Sequence, residues 1–215
     1  MSRRLPVYLL IDSSGSMKGE PIQAVNVGIR SMLSALRQDP YALESVHLSL
    51  ITFDREIKEL LPLSPLDEAQ IEDIEVPERG AATHMGEGLK LLAEKVNNNV
   101  SKSTDDSKGD FRPMLFIMTD GSPSDLLEFK EALPKIKACN FAEIVACAAG
   151  PKAKTDFLKQ ITNQVMVLDN MDSSAFAQFF KWVSASITAG TMSAGVEGSL
   201  ENKLPPPPPE VQVVL

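Results

Sequence analysis

Residues 9–21, LLIDSSGSMKGEP, run straight from apolar side chains into Asp-x-Ser-x-Ser and then into glycine and proline. A plain turn does not need a carboxylate and two hydroxyls at alternate positions. In an extended segment alternate side chains point the same way, so Asp12, Ser14 and Ser16 can converge on one point. Behind them, residues 5–11 are apolar on both faces, the pattern of a strand buried from both sides. Ahead of them, Ile22, Val25, Ile29, Met32, Leu33 and Leu36 have helical spacing, and Pro21 suits a first helical position.

The same alternation continues along the chain. Residues 46–53 (VHLSLITF) read as a strand, and 57–61 as its hairpin partner beyond a turn at Asp54-Arg55. Residues 84–100 read as a helix with Met85, Leu89, Leu92 and Val96 on one face. A polar break, NNNVSKSTDDSKGD (97–110), reads as an exposed loop. Apolar strands follow at 114–118 and 144–149 and a short one at 165–168, with helices at 126–138, 157–161 and 174–187. The last helix turns Phe176, Phe179, Phe180 and Val183 inward. Strands apolar on both faces, alternating with helices, predict an α/β fold with a mainly parallel sheet covered on both sides. Ligands in such sheets sit at the carboxyl ends of the strands. Residues 1–189 are expected to form this domain. Residues 190–215, small and Gly/Ser-rich and then proline-rich (PPPPP, 205–209), are expected to be a flexible tail, with a docking peptide as the sharper reading.

The 215 residues carry 21 basic and 29 acidic side chains, a net charge of −8. That balance argues against bulk attraction to nucleic acid or anionic lipid, and the densest cationic stretches are only residues 2–4 and 151–154. Two cysteines, Cys139 and Cys147, are too few for a disulfide framework and read as reduced thiols. Arg3-Arg4 before residues 5–11 imitates a signal peptide, but the apolar run is short, contains Pro6 and meets Asp12 without a small-residue cleavage site. No run approaches the roughly 20 apolar residues of a membrane span. A cytoplasmic, monomeric protein is expected.

Two further strand ends match the first. In RGAATHMGEGL (79–89) Thr83 sits at a loop-to-helix junction, and in LFIMTDGSPSD (115–125) a buried strand ends at Thr119-Asp120-Gly121. Together the three ends offer two carboxylates and three hydroxyls. Hard oxygen donors of this kind suit Mg²⁺ or Mn²⁺ rather than zinc, which favours Cys and His. An ion held by so few charges keeps open positions that a partner's carboxylate can fill, whatever the net charge of the protein.

Asp12-x-Ser14-x-Ser16, Thr83 within Ala-Ala-Thr-His-Met-Gly, and Asp120 within Thr119-Asp120-Gly121 resemble the von Willebrand factor A (VWA) domain and its metal ion-dependent adhesion site. The resemblance covers roughly residues 5–188. It implies a Rossmann-like sheet of six strands with one antiparallel edge strand near residue 57, and helices on both faces. It implies Asp12, Ser14, Ser16, Thr83 and Asp120 as metal ligands, some through water, in a protein-binding module without catalytic activity. More narrowly, LIDSSGSMxGEPI, GAATHMGEGL and IMTDGSPSD resemble the compact bacterial subfamily found with tellurite-resistance systems, the TerY type. That resemblance implies a stress-response role with a protein kinase and a phosphatase as partners.

Blander readings apply to single residues. Asp12, Ser14, Ser16 or Thr83 could each cap a turn or helix. Ser124 and Asp125 read as caps of the helix at 126, Asp54 as a turn residue, His84 as helix-start polarity and His47 as structural. Gly15, Gly80, Gly86 and Gly121 read as backbone permissions near the ion. Met85, Met114 and Met118 read as core. The rival reading is a metal-dependent phosphoryl-transfer hydrolase of haloacid-dehalogenase-like type, which also places Asp after the first strand. It needs a second Asp where Ser14 stands, and a lysine with no evident counterpart. The sequence has no GxSxG elbow and no phosphate-binding GxGxxG or GxxxxGK[ST] motif.

Overall fold

The computed structural model describes residues 3–78, 82–104, 107–150, 153–194, 204–209 and 211–214. Ser2, Gly80, Asp105, Asp106 and Pro151-Lys152, which figure in the sequence reading, lie outside these residues. The chain runs β1 (Leu5–Asp12), a 3₁₀ turn (Gly15–Met17), α1 (Glu20–Arg37), α2 (Pro40–Ser45), β2 (Val46–Phe53), β3 (Ile57–Pro65) and α3 (Met85–Asn99). It continues with β4 (Met114–Thr119), α4 (Leu126–Ala138), β5 (Glu143–Ala149), α5 (Thr155–Ile161), β6 (Gln164–Leu168), α6 (Ser173–Ala194) and β7 (Val211–Val214).

One sheet, in the order β3-β2-β1-β4-β5-β6-β7, runs through the molecule. β2, β1, β4, β5 and β6 are parallel, while β3 and β7 close the two edges antiparallel. The expectation of six strands with one antiparallel edge is therefore corrected to seven with two. The added strand comes from residues 211–214, inside the stretch read as a flexible tail. A periodicity reading misses it because four residues after a proline run carry too little pattern.

Alternation along β1 decides the layers. Val7, Leu9 and Ile11 face the cluster built with α1 and α6, while Tyr8 and Leu10 face α3, α4 and α5. α6 extends to Ala194, well past the predicted 187, and the indole N–H of its buried Trp182 donates to the Pro205 carbonyl at 2.8 Å. α2 was not foreseen, although Asp39 before Pro40 is a strong start signal: its carboxylate accepts from the Tyr41 and Ala42 N–H groups. Cys139 and Cys147 are both free and buried, and burial pushes both thiols up. Among the described residues no helix is long and apolar enough to cross a membrane.

Candidate functional site

β1 and β4 are parallel neighbours at the centre of the sheet, with Ile11 opposite Met118. That register sets Asp12 and Thr119 side by side at the carboxyl ends, and the Thr119 hydroxyl donates to Asp12 Oδ2 at 2.6 Å. Asp12 Oδ1 accepts from the Ser14 N–H at 2.8 Å, which curls the chain after β1 into its turn. The Ser14 and Ser16 hydroxyls are then 3.2 Å apart. Ser16 Oγ donates to Asp120 Oδ1 at 2.8 Å, closing the loop between the two strand ends. Four of the five predicted residues thus form one connected set.

Thr83 reaches the set from the other side. A Cβ placed on Gly121 would lie 3.6 Å from Thr83 Oγ1, so the hydroxyl stands against the Thr119-Asp120-Gly121 turn. The segment that carries Thr83 is anchored by its backbone. Thr83 N–H donates to Ser124 Oγ at 3.1 Å, Ser124 N–H donates to the Thr83 carbonyl at 2.9 Å, and His84 N–H donates to the Asp54 carbonyl at 2.9 Å.

Asp12, Ser14 and Thr119 are fully buried or nearly so, Thr83 and Asp120 are buried, and Ser16 is exposed. The cluster therefore opens to solvent on the Ser16 side. Burial pushes the Asp12 carboxyl up to about 6, against the opposing effect of its hydrogen bonds, and burial raises Asp120 as well. Neither carboxylate is paired with a Lys, Arg or His among the described residues. Buried negative charge without a cation is costly unless a positive ion compensates it. Two carboxylates and three hydroxyls, all hard oxygens, match the chemistry of a small divalent cation. No group of three or more His, Cys, Asp or Glu able to hold a metal exists among the described residues, so any cation here depends on the hydroxyls.

Three blander readings need correction. Asp125 reads from the sequence as the cap of α4, but its side chain makes no hydrogen bond to that helix, and only its carbonyl accepts, from the Phe129 N–H at 2.9 Å. Its carboxylate instead accepts from the Gly86 and Glu87 N–H groups at 3.1 and 2.8 Å, capping α3 from across the site. Ser124, read with it as a cap, bonds Thr83 as described. Gly86, read as a permission near the ion, is a packing glycine: a Cβ there would fall 2.2 Å from the Phe129 backbone nitrogen, so its absence lets α3 and α4 touch.

Asp54 is a turn residue as expected, its carboxylate accepting from the Glu56 N–H at 2.9 Å. It also accepts from Ser13 Oγ at 2.7 Å while 2% exposed, a supporting role that sequence reasoning missed. The usable signal was its position one residue beyond the end of β2, beside the β1 loop. His84 takes the N-cap position of α3 without a side-chain cap, and His47 Nδ1 lies 3.3 Å from the Ser45 carbonyl.

No curated protein matches the chain by sequence. Solved structures share the fold at low identity. Proximal thread matrix protein 1 from the mussel byssus, with a zinc-occupied MIDAS motif, aligns over 86% of this chain and 48% of its own, at 18% identity and TM-score 0.58. The pilus adhesin SpaC from Lactobacillus rhamnosus GG aligns over 88% of this chain and 31% of its own, at 14% identity and TM-score 0.67. The vWF domain of the type V pili tip protein Mfa5 from Porphyromonas gingivalis aligns over 89% of this chain and 97% of its own, at 12% identity and TM-score 0.62. The chain thus spans under half the length of the mussel protein and of SpaC, and nearly all of the Mfa5 domain. With residues 7–182 matched by the model of the von Willebrand factor type A domain, over a sheet and strand ends of the kind just described, the chain belongs to the VWA family.

Proposed function

We propose that Asp12, Ser14, Ser16, Thr83 and Asp120 hold a divalent ion, Mg²⁺ or Mn²⁺, and that the site binds a protein partner and does not catalyse a reaction. The observation that carries this reading is a pair of buried carboxylates with three hydroxyls gathered around them and no Lys, Arg or His paired with either among the described residues. When bound, the ion would supply positive charge and an open coordination position for an acidic residue of the partner. The protein's own residues orient the donors: Thr119 and the Ser14 N–H hold the Asp12 carboxylate, and Ser16 holds Asp120. The exposed side of the cluster at Ser16 leaves access for a partner. The phosphoryl-transfer alternative is not favoured, because Ser14 stands where a second carboxylate is required and no lysine pairs with Asp12 among the described residues.

On its motifs we assign the chain to the TerY type, in a cytoplasmic bacterial tellurite-resistance or stress-response system with a kinase and a phosphatase as candidate partners. The test is Mn²⁺ titration of wild type and Asp12→Ala, with pull-downs from native lysate in Mg²⁺ or EDTA. Binding by wild type, a loss of at least 100-fold in the variant at unchanged circular dichroism, and a partner retained only with metal are expected. Equal Mn²⁺ affinity in both proteins rejects the site.

A further inference from the structure

We infer that Ser124 and Asp125 are positioning residues for Thr83, so that the β4–α4 segment sets two of the five oxygen donors, Asp120 directly and Thr83 through its backbone. The inference rests on the metal-site reading above. Asp125 occupies the residue before α4, where a carboxylate would ordinarily accept from its own helix, yet that helix goes without a side-chain cap. The carboxylate crosses instead to the first turn of α3 and accepts from the Gly86 and Glu87 N–H groups. α3 needs it, because His84 at its own N-cap provides no side-chain acceptor. A carboxylate at this place also meets the positive end of the α3 dipole.

Ser124 completes the clamp with a reciprocal pair, accepting from the Thr83 N–H and donating its own N–H to the Thr83 carbonyl. Thr83 therefore lies between two fixed points, the Ser124 pair on one side and the capped turn of α3 on the other. Direct contact of α3 and α4 at Gly86 leaves the clamp little slack. On the opposite flank Asp54 ties the same segment, through the His84 N–H, to Ser13. Outer-shell partners that orient donors in this way typically change metal affinity by 10- to 100-fold when removed.

The test is a double-mutant cycle on the full chain: wild type, Asp125→Ala, Thr83→Ala and the pair, read as Mn²⁺ affinity with unfolding in EDTA measured in parallel. Asp125→Ala is expected to weaken Mn²⁺ about tenfold at temperatures where the variant is folded. The double variant is expected to bind no worse than Thr83→Ala, because Asp125 acts only through that residue. Asp125→Asn, which keeps one acceptor oxygen, is expected to recover part of the loss. A variant that melts earlier in EDTA yet binds Mn²⁺ like wild type makes Asp125 purely structural and overturns the inference, as do fully additive losses. Failure of wild type to bind Mn²⁺ rejects the metal site itself, a separate outcome.

Discussion

Asp110 and Asp12 both carry largely covered carboxylates, one beside the amino end of β1 and the other at its carboxyl end, and their surroundings differ in kind. The Asp110 side chain, 6% exposed, accepts from Arg4 Nε at 2.8 Å and Arg4 Nη2 at 2.6 Å, and from the Ser101 N–H at 2.7 Å. Its charge is matched within the chain, and the bidentate geometry is that of a structural ion pair. Asp12 is fully enclosed but receives only neutral donors, an N–H from Ser14 and a hydroxyl from Thr119. Burial consequently pushes its carboxyl up to about 6. The contrast separates a carboxylate that fastens the fold from one that the fold holds at a cost in stability, as the proposed metal site requires.

The largest test of that contrast uses stability without metal. In EDTA at pH 7.5, Asp12→Asn removes an uncompensated buried charge and is expected to raise unfolding stability by on the order of 1–3 kcal/mol. Asp110→Ala takes the acceptor from Arg4 Nε and from the Ser101 N–H and is expected to lower it by about 1–3 kcal/mol. Denaturant titration reads both, and two shifts of the same sign would break the comparison.

The pH dependence comes next. A folded carboxyl raised to about 6 contributes stability that is full below about pH 4 and is lost as the pH rises through 6. The metal-free protein should therefore lose stability between about pH 4 and pH 6.5, and Asp12→Asn should flatten that part of the curve. Metal binding runs the other way, since protons compete with the ion for Asp12 and for the likewise raised Asp120. Mn²⁺ affinity should fall by about tenfold or more per pH unit below 6, and a flat profile from pH 7 to pH 5 would exclude Asp12 as a ligand.

The smallest effect concerns the far edge of the sheet. Ending the chain after residue 203 removes β7 and the carbonyl that accepts from Trp182, the only tryptophan. A red shift of its fluorescence is expected, with a stability loss of about 1–2 kcal/mol from re-exposed apolar surface and the missing hydrogen bond. Mn²⁺ affinity should stay at the wild-type value, because β5 and β6 separate β7 from β4. A weakened site would show that edge and centre are coupled.

Most of the architecture was legible in the residues. Continuous apolar runs at β1, β4 and β5 and helical spacing in α1, α3, α4 and α6 are local signals, and each element lies within a few residues of its expected place, save the longer α6. The five candidate donors are visible in the sequence because each sits at the end of an apolar run or at a helix start, and the structure brings them to one end of the sheet. Asp125 was misread because its position before α4 is a local cap signal, whereas its partners are 38 and 39 residues away in sequence. Asp54 reads only as a turn residue for the same reason, its partner Ser13 being 41 residues distant.

Local sequence accounts for the order of most strands and helices, the double-sided burial of the sheet and the oxygen-rich chemistry of the candidate donors. These follow from side-chain period and residue chemistry, which act over a few neighbouring positions. Long-range packing settles the rest: Asp12 is enclosed with no Lys, Arg or His paired to it among the described residues, the Asp125 carboxylate turns from its own helix to α3, and residues 211–214 pair with β6 as a seventh strand. Each of these depends on which donors and strand edges long-range packing leaves unpaired, and backbone groups left without partners take whichever acceptor the fold brings within reach.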